Sequence, residues 1–393
     1  MSQFRNLRIG AFLPPFHDTD QDPLVQMERD FSLIQQLDRL GYAEAWVGEH
    51  HSGGFELYGQ PELFVATAAE RSRYIRLGTG VISLPYHNPF MVAQRIVQLD
   101  YQTRGRAMFG FGPGLLASDA HILGIDPKTQ RDRMAESIDI ITRLIAGETI
   151  TQSSEWYDLR DARLHIQPYT LPRPEMVVTS SVTPSGGKTA GRFDLGMLCV
   201  AAGSVHGYDT LDLNWNLACE AAAKDGRTMD RERLRLMACF HIADTREEAI
   251  ADVAEGFEKW QNYSRSLNPN GGAAIGLPSI EEINAGGLGA IGSPEDAVRV
   301  LENYWQKTGG FGVMLLLAHN WASWEKTQKS FDLFASKVIP AFNRRNDWRN
   351  RSMEWNRANM EHLNSGKQAA LTAAIEKHFN EVEAGQKSAT ANG

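Results

Sequence analysis

Cysteine is scarce in this chain: three in 393 residues, at Cys199, Cys219 and Cys239. Their wide spacing fits neither a zinc ligand set nor a short disulfide framework, so they are read as small buried hydrophobes and no metal centre is expected. Excess positive charge is missing too. Forty basic side chains against forty-eight acidic ones leave a formal charge of −8 at pH 7. That balance lacks the electrostatic footprint of a nucleic-acid binder, and any phosphate site has to be local. No uninterrupted apolar run reaches the ~18 residues of a membrane span. The opening MSQFRNLRIG carries no apolar signal core. The expectation is a reducing, cytoplasmic protein that meets neither nucleic acid nor membrane. Hydrophobic residues at 42% and charged residues at 22% are those of an ordinary soluble enzyme.

What the chain has is alternation. Short apolar runs that read as buried strands lie at Leu7 to Leu13, Ala45 to Gly48, Leu77 to Leu84, Ala107 to Gly112, Glu175 to Ser180, Leu195 to Val200, Leu234 to Ile242 and Gly312 to Leu317. Helical spacing fills the intervals, as in Met27, Phe31, Ile34 and Leu37, or Met134, Ile138, Ile141 and Ile145. Eight β/α units imply parallel strands with right-handed crossovers and favour closure into a (β/α)8 TIM barrel, whose chemistry lies at the C-terminal strand ends. A hairpin at Thr149 to Leu159 reads as an insertion. The Gly-rich stretch 263–291 is expected to be a long loop, read as a lid over the catalytic face. Residues 1–342 are expected to form the barrel. Residues 343–393, with five arginines and with Trp348 and Trp355 a heptad apart in RRNDWRNRSMEWNR, are expected to be a helical extension ending in a disordered EAGQKSATANG.

Glu49, His50 and His51 follow the second strand and fall at the rim where barrel enzymes do chemistry. Histidine there can hold or pass a proton near neutral pH; the alternative is a structural rim histidine bonded to a loop. Strand geometry sends the two imidazoles to opposite sides, and no HExxH spacing exists, so zinc is not favoured. Gly110-Phe111-Gly112-Pro113-Gly114 is not a dinucleotide fingerprint, because its third glycine comes one residue early. Ser180, Ser181 and Thr183 precede a helix opening at Pro184, where hydroxyls and free N–H groups can hold a phosphate; plain N-capping is the bland reading. His17, His87 and His319 also follow strands. Aromatic residues near strand ends, Phe12, Phe16, Tyr58, Tyr86 and Trp321, are candidates to wall an apolar pocket.

These motifs together resemble the bacterial luciferase-like flavin monooxygenases. The segments that carry the resemblance are EHH, GGFELYGQPELF, LGTGVISLPYHNP and VAQRIVQLDYQTRGRAMFGFGPG, with the serine cluster and the long loop before IGSPEDAV. The closest flavour is that of limonene monooxygenase-like members. The resemblance covers roughly Leu7 to Phe342. It implies a barrel that binds reduced flavin (FMN, with FAD as the alternative) supplied by a separate NAD(P)H-dependent reductase. With dioxygen the flavin oxygenates a small hydrophobic substrate. His50 would stand beside the flavin, stabilising the peroxide or moving a proton, with His51 and Glu49 in support. A non-prolyl cis peptide at Gly80–Val81 would lie under the isoalloxazine. Gly112 and Pro113 would flank the cofactor, and Ser180, Ser181 and Thr183 would hold its phosphate. The sequence departs from luciferase at Pro113, where luciferase carries an arginine, and light emission is not expected. A homodimer or higher homo-oligomer is implied. A deazaflavin-dependent oxidoreductase and a non-catalytic flavin-binding protein remain alternatives on the same fold.

Overall fold

A computed structural model describes residues 5–13, 16–267 and 278–391. They form two compact units, Met1–Asn343 and Arg344–Gly393.

The first half of unit one runs β1 (Arg8–Phe12), α1 (Pro23–Leu40), β2 (Glu44–Val47), α2 (Pro61–Arg71), β3 (Arg76–Ser83), α3 (Pro89–Thr103), β4 (Ala107–Gly112), α4 (Ala117–Ile122) and α5 (Gln130–Ile145). A hairpin follows, β5 (Ile150–Ser153) and β6 (Asp158–Ala162). Then come β7 (Glu175–Ser180), α6 (Ser185–Phe193), β8 (Gly196–Cys199), α7 (Val205–Asp209), α8 (Leu211–Ala223), β9 (Leu234–Ala238) and β10 (Phe240–Ile242). The unit continues through α9 (Arg246–Leu267), α10 (Ile280–Gly286), β11 (Ala290–Gly292), α11 (Pro294–Thr308), β12 (Val313–Leu317), α12 (Trp324–Leu333) and α13 (Ile339–Phe342). Eight parallel strands close into a barrel in the order β1-β12-β9-β8-β7-β4-β3-β2.

Local chemistry sets the boundaries. The Asp22 carboxylate caps α1 by accepting from the N–H groups of Leu24 and Val25, and Gly41 at φ 79° ends the helix. Ser293 and Asp296 form a reciprocal capping box on α11. Alternation along each strand divides the core in two. Phe12, Trp46, Met108, Val177, Leu198, Val313, Leu315 and Leu317 fill the barrel, while their neighbours Ala11, Val47, Phe109, Val178 and Leu316 face the helices. At the N-terminal end the Arg235 guanidinium lies inside the barrel and donates to both carboxylate oxygens of Glu44, at 2.7 and 2.9 Å. The Trp46 indole donates to the same carboxylate at 3.1 Å. Asn343 closes the unit by exchanging two amide hydrogen bonds with the backbone of Leu7, at 3.1 and 2.8 Å.

Three sequence expectations are corrected. The seventh apolar run is two strands: β9 stays in the barrel and β10 leaves it to pair with β11. Stretch 263–291 is not one long loop. It holds the end of α9, then α10 and β11, and only 268–277 lie outside the described residues. Among its described glycines are capping and packing positions. Gly287 (φ 65°) ends α10, and a Cβ on Gly289 would fall 2.3 Å from the Cys239 carbonyl oxygen. Of the final stretch read as disordered, residues 383–391 are helical, within α14 (Asp347–Ala391), whose apolar residues include exposed Trp348 and Trp355. Among the described residues no helix is long and apolar enough to cross a membrane.

Candidate active site

Glycines on the inner faces of β3 and β4 shape the C-terminal half of the barrel. A Cβ on Gly78 would fall 2.3 Å from the Trp46 ring, one on Gly80 would fall 2.8 Å from the Phe12 ring, and one on Gly112 would fall 2.5 Å from a Val81 methyl. Large side chains on neighbouring strands occupy the space that these glycines leave. The Gly110–Gly112 pair, a poor dinucleotide motif, is thus a packing device. The Gly80–Val81 peptide is cis, and the register between β3 and β4 shifts between Thr79 and Ile82. Above this level Val81, Val200, Met237 and Cys239 are only partly buried against the interior cluster. They give the barrel mouth an apolar surface.

His50 faces that mouth. A Cβ on Gly48 would meet Glu56 Oε2 at 3.4 Å, the Gly80 carbonyl oxygen at 3.6 Å and His50 Cδ2 at 3.9 Å, so these groups converge on one spot. Both ring nitrogens of His50 meet carboxylates: Nδ1 lies 3.3 Å from Asp119 Oδ2 and Nε2 lies 3.2 Å from Glu56 Oε1. Burial alone would lower the pKa of this imidazole. The Asp119 hydrogen bond and the charges of Glu56 and Asp119 outweigh burial and raise it. Burial pushes the Glu56 carboxyl up to about 7 against the pull of His50 and His17. Asp119 is 1% exposed. Its other oxygen accepts from the His51 backbone N–H at 3.1 Å and from the Ser52 hydroxyl.

His51 and Glu49 point the other way. Glu49 Oε1 accepts from His51 Nε2 at 2.9 Å and from His87 Nε2 at 2.8 Å, and Oε2 accepts from the Ser83 N–H at 2.9 Å. Burial opposes its charge, yet these three donors and the His87 charge hold it down at about 2. Glu49 therefore ties the end of β2 to the end of β3 and lies beneath the rim, apart from the mouth. The loop between His51 and Tyr58 is pinned from α1. His17 donates through Nδ1 to the Phe55 carbonyl at 3.1 Å and pairs through Nε2 with Asp30 at 2.9 Å. Tyr58 also donates to Asp30, at 2.8 Å.

The other candidates separate. Phe12 lies inside the barrel, and the Tyr86 ring sits edge-on to His51 with its centroid 5.9 Å away. Tyr58 packs edge-on to Phe64 of α2, in the helix layer. Trp321 is buried in a satellite cluster with Phe257 and Trp260, stacked on His319. At the end of β7, Thr179 lies on the inner face beside Gly112. Ser180 points outward under the first turn of α6 and is 2% exposed. Ser181 is half-buried, and Thr183 is exposed with its hydroxyl 3.0 Å from that of Ser185. Gly187 and Gly191 let α6 touch α8, since added Cβ atoms would fall 2.2 and 2.1 Å from the carbonyls of Asn214 and Ala218. Sequence reasoning missed Asp119, Glu56 and Thr179. Glu56 lay within GGFELYG, six residues after His50 but unmarked by any spacing rule.

A closed parallel barrel with a carboxylate-flanked histidine over an apolar mouth defines an α/β-barrel of the kind that carries its chemistry at the C-terminal rim, and comparison with known proteins makes the class specific. The luciferase-like monooxygenase family matches residues 7–323, and the chain belongs to that family. It is 46% identical over 341 residues to limonene 1,2-monooxygenase of Rhodococcus erythropolis, covering 86% of this chain and 88% of that protein. It is 42% identical over 343 residues to 4-hydroxyprotoasukamycin monooxygenase of Streptomyces nodosus subsp. asukaensis, covering 86% and 92%. Among solved structures, the FMN complex of the oxygenating constituent of 3,6-diketocamphane monooxygenase from Pseudomonas putida superposes with a TM-score of 0.71. It is 22% identical and covers 85% of this chain and 98% of that one. The protein is a flavin-dependent monooxygenase.

Proposed function

We propose that this chain is the oxygenase of a two-component system. It takes reduced FMN from a separate NAD(P)H-dependent reductase and uses O2 to oxygenate a small hydrophobic molecule of the terpene or alicyclic class. The observation that carries the reading is His50 at the C-terminal rim, held between two carboxylates and facing an apolar mouth. The 46% identity to a limonene monooxygenase supports the substrate class.

The residues present fit a flavin. The half-buried Val81, Val200 and Met237 offer an apolar face for a planar ring, beside the Gly80–Val81 peptide. Gly112 borders the same space beside Val81, and Pro113, the next residue after β4, would flank the ring there. Ser181, Thr183 and the first N–H groups of α6 would hold the phosphate. Ser180 would contribute through its backbone, since its side chain lies under α6. Bound reduced flavin supplies two electrons, so that one oxygen atom of O2 enters the substrate and the other leaves as water. The chain's own part is to keep the mouth dry, to orient the ring and to hold or move a proton at His50. The chain is expected to work as a homodimer or higher homo-oligomer. The test supplies the purified protein with a generic flavin reductase, NADH and 18O2. Limonene and a panel of alicyclic ketones are then examined by mass spectrometry. Reduced FMN binding with 18O incorporation supports the reading. Absence of binding to reduced FMN, FAD and deazaflavin alike overturns it.

A further inference from the structure

The carboxyl of Glu56 lies 3.2 Å from His50 Nε2, at the imidazole where the proposed chemistry holds or moves a proton. The loop that carries it is fixed from both sides. The His50 N–H donates to the Tyr58 carbonyl at 3.1 Å, and the His17 N–H donates to the Phe55 carbonyl at 2.9 Å. Gly53 and Gly54, at φ 86° and 78°, make the turn that returns the chain over the rim. Phe55 is packed against the Tyr263 ring of α9 at 4.0 Å and against Phe16 at 5.4 Å. These three rings form an apolar wall beside Glu56. The side chain of Glu56 is 14% exposed, as is that of His50. The contact between them uses the imidazole nitrogen opposite Asp119. The second Glu56 oxygen lies on the side of Gly48 and the Gly80 carbonyl, towards the mouth.

We propose that Glu56 is the positioning residue of His50: it fixes Nε2 of the imidazole and exchanges a proton with it, while Asp119 keeps the proton on Nδ1. This rests on the reading of His50 as the group beside the flavin. In the step, the Nε2–H bond breaks and an O–H bond forms on Glu56. The imidazolium–carboxylate pair becomes a neutral imidazole and a carboxylic acid, and no electrons change hands. The arrangement stores one proton at the mouth in either of two places. The carboxyl titrating at about 7 beside a histidine raised above its ordinary value is what such sharing requires. The groups that set the balance come from every neighbouring element. Asp119 of α4 contacts His50, and Glu49 and His51, on the other side of β2, act on it through their charges. His17 (paired with Asp30 of α1), Asp119 and Tyr263 of α9 face Glu56.

The test is E56Q in the full-length protein, with H50N to assign the His50 imidazole signal by NMR. Loss of the neighbouring carboxylate should lower the His50 midpoint by about 1–3 pH units. Coupled oxygenation by the wild-type protein should show a limb near pH 7 that E56Q removes, with affinity for reduced FMN changed less than threefold. An unmoved His50 titration overturns the proposal. So does a shifted titration with an unchanged pH profile, because Glu56 would then be charge without proton exchange. If E56Q fails to fold, E56D carries the same two readouts with a smaller shift in the same direction. Should the wild-type protein bind no reduced flavin, the functional reading fails, while the His50 titration still decides whether Glu56 governs that proton.

Discussion

Glu49→Gln isolates the support beneath the site from the site itself. The Glu49 carboxylate is fully buried, with donors from His51, His87 and the Ser83 backbone. A carboxyl held at about 2 rather than 4.5 contributes roughly 3 kcal/mol at neutral pH, at about 1.4 kcal/mol per pH unit. The sign follows from the direction. The folded value lies below the unfolded one, so the contribution is complete above about pH 4.5 and is lost as pH falls towards 2. Glutamine keeps the volume but has one acceptor oxygen, and its amide hydrogens face at least one N–H donor. The variant should therefore lose about 2–3 kcal/mol at pH 7. Urea unfolding of both proteins at pH 7 and pH 4 measures this, read by near-ultraviolet circular dichroism because Tyr86 packs on His51 beside Glu49. The difference between wild type and variant should shrink at the lower pH. A loss below 0.5 kcal/mol at pH 7, or a difference that does not change with pH, refutes the claim that Glu49 is a charged clamp between β2 and β3.

His50→Ala should retain reduced-flavin binding and lose coupled oxygenation by about 10²–10⁴-fold; single-turnover kinetics with photoreduced FMN measure both. Unchanged turnover removes His50 from the chemistry. Ser181→Asp places a carboxylate where the phosphate is proposed, so FMN should weaken while riboflavin changes little; equal losses in fluorescence titrations of the two ligands exclude a phosphate contact. Gly112→Ala puts a methyl 2.5 Å from Val81, which forces the β3–β4 inner face to shift. Thermal stability should fall by about 1–3 kcal/mol and flavin affinity should drop with it. A variant as stable and as tight-binding as the parent shows that the inner face has room to spare.

The eight-fold alternation of barrel strands and helices, the closure into a barrel and the placing of Glu49, His50 and His51 at the C-terminal end of β2 were legible in the sequence, whereas β10, α10 and β11 were not. The legible parts depend on local periodicity, on chain punctuation by glycine and proline, and on the even side-chain alternation of a strand. Alternation also separated His50 from His51. The parts that could not be read share a cause. Glu56 and Asp119 acquire their meaning from approaching one imidazole across 3.2 and 3.3 Å from opposite sides, although Asp119 is sixty-nine positions away in the chain. Ser180 was expected as a phosphate ligand from its sequence neighbourhood alone, and only its parity in β7 shows that its side chain lies beneath α6. The glycines of GFGPG, which match no dinucleotide fingerprint, and of AGGLG, read as part of a loop, include contact points where another strand or helix comes within van der Waals distance of the backbone. Sequence determined what each short segment can form, because that is governed by neighbours in the chain. Tertiary structure decided which charges meet, because the electrostatic energy of a buried carboxylate depends on groups that only the closed barrel brings beside it.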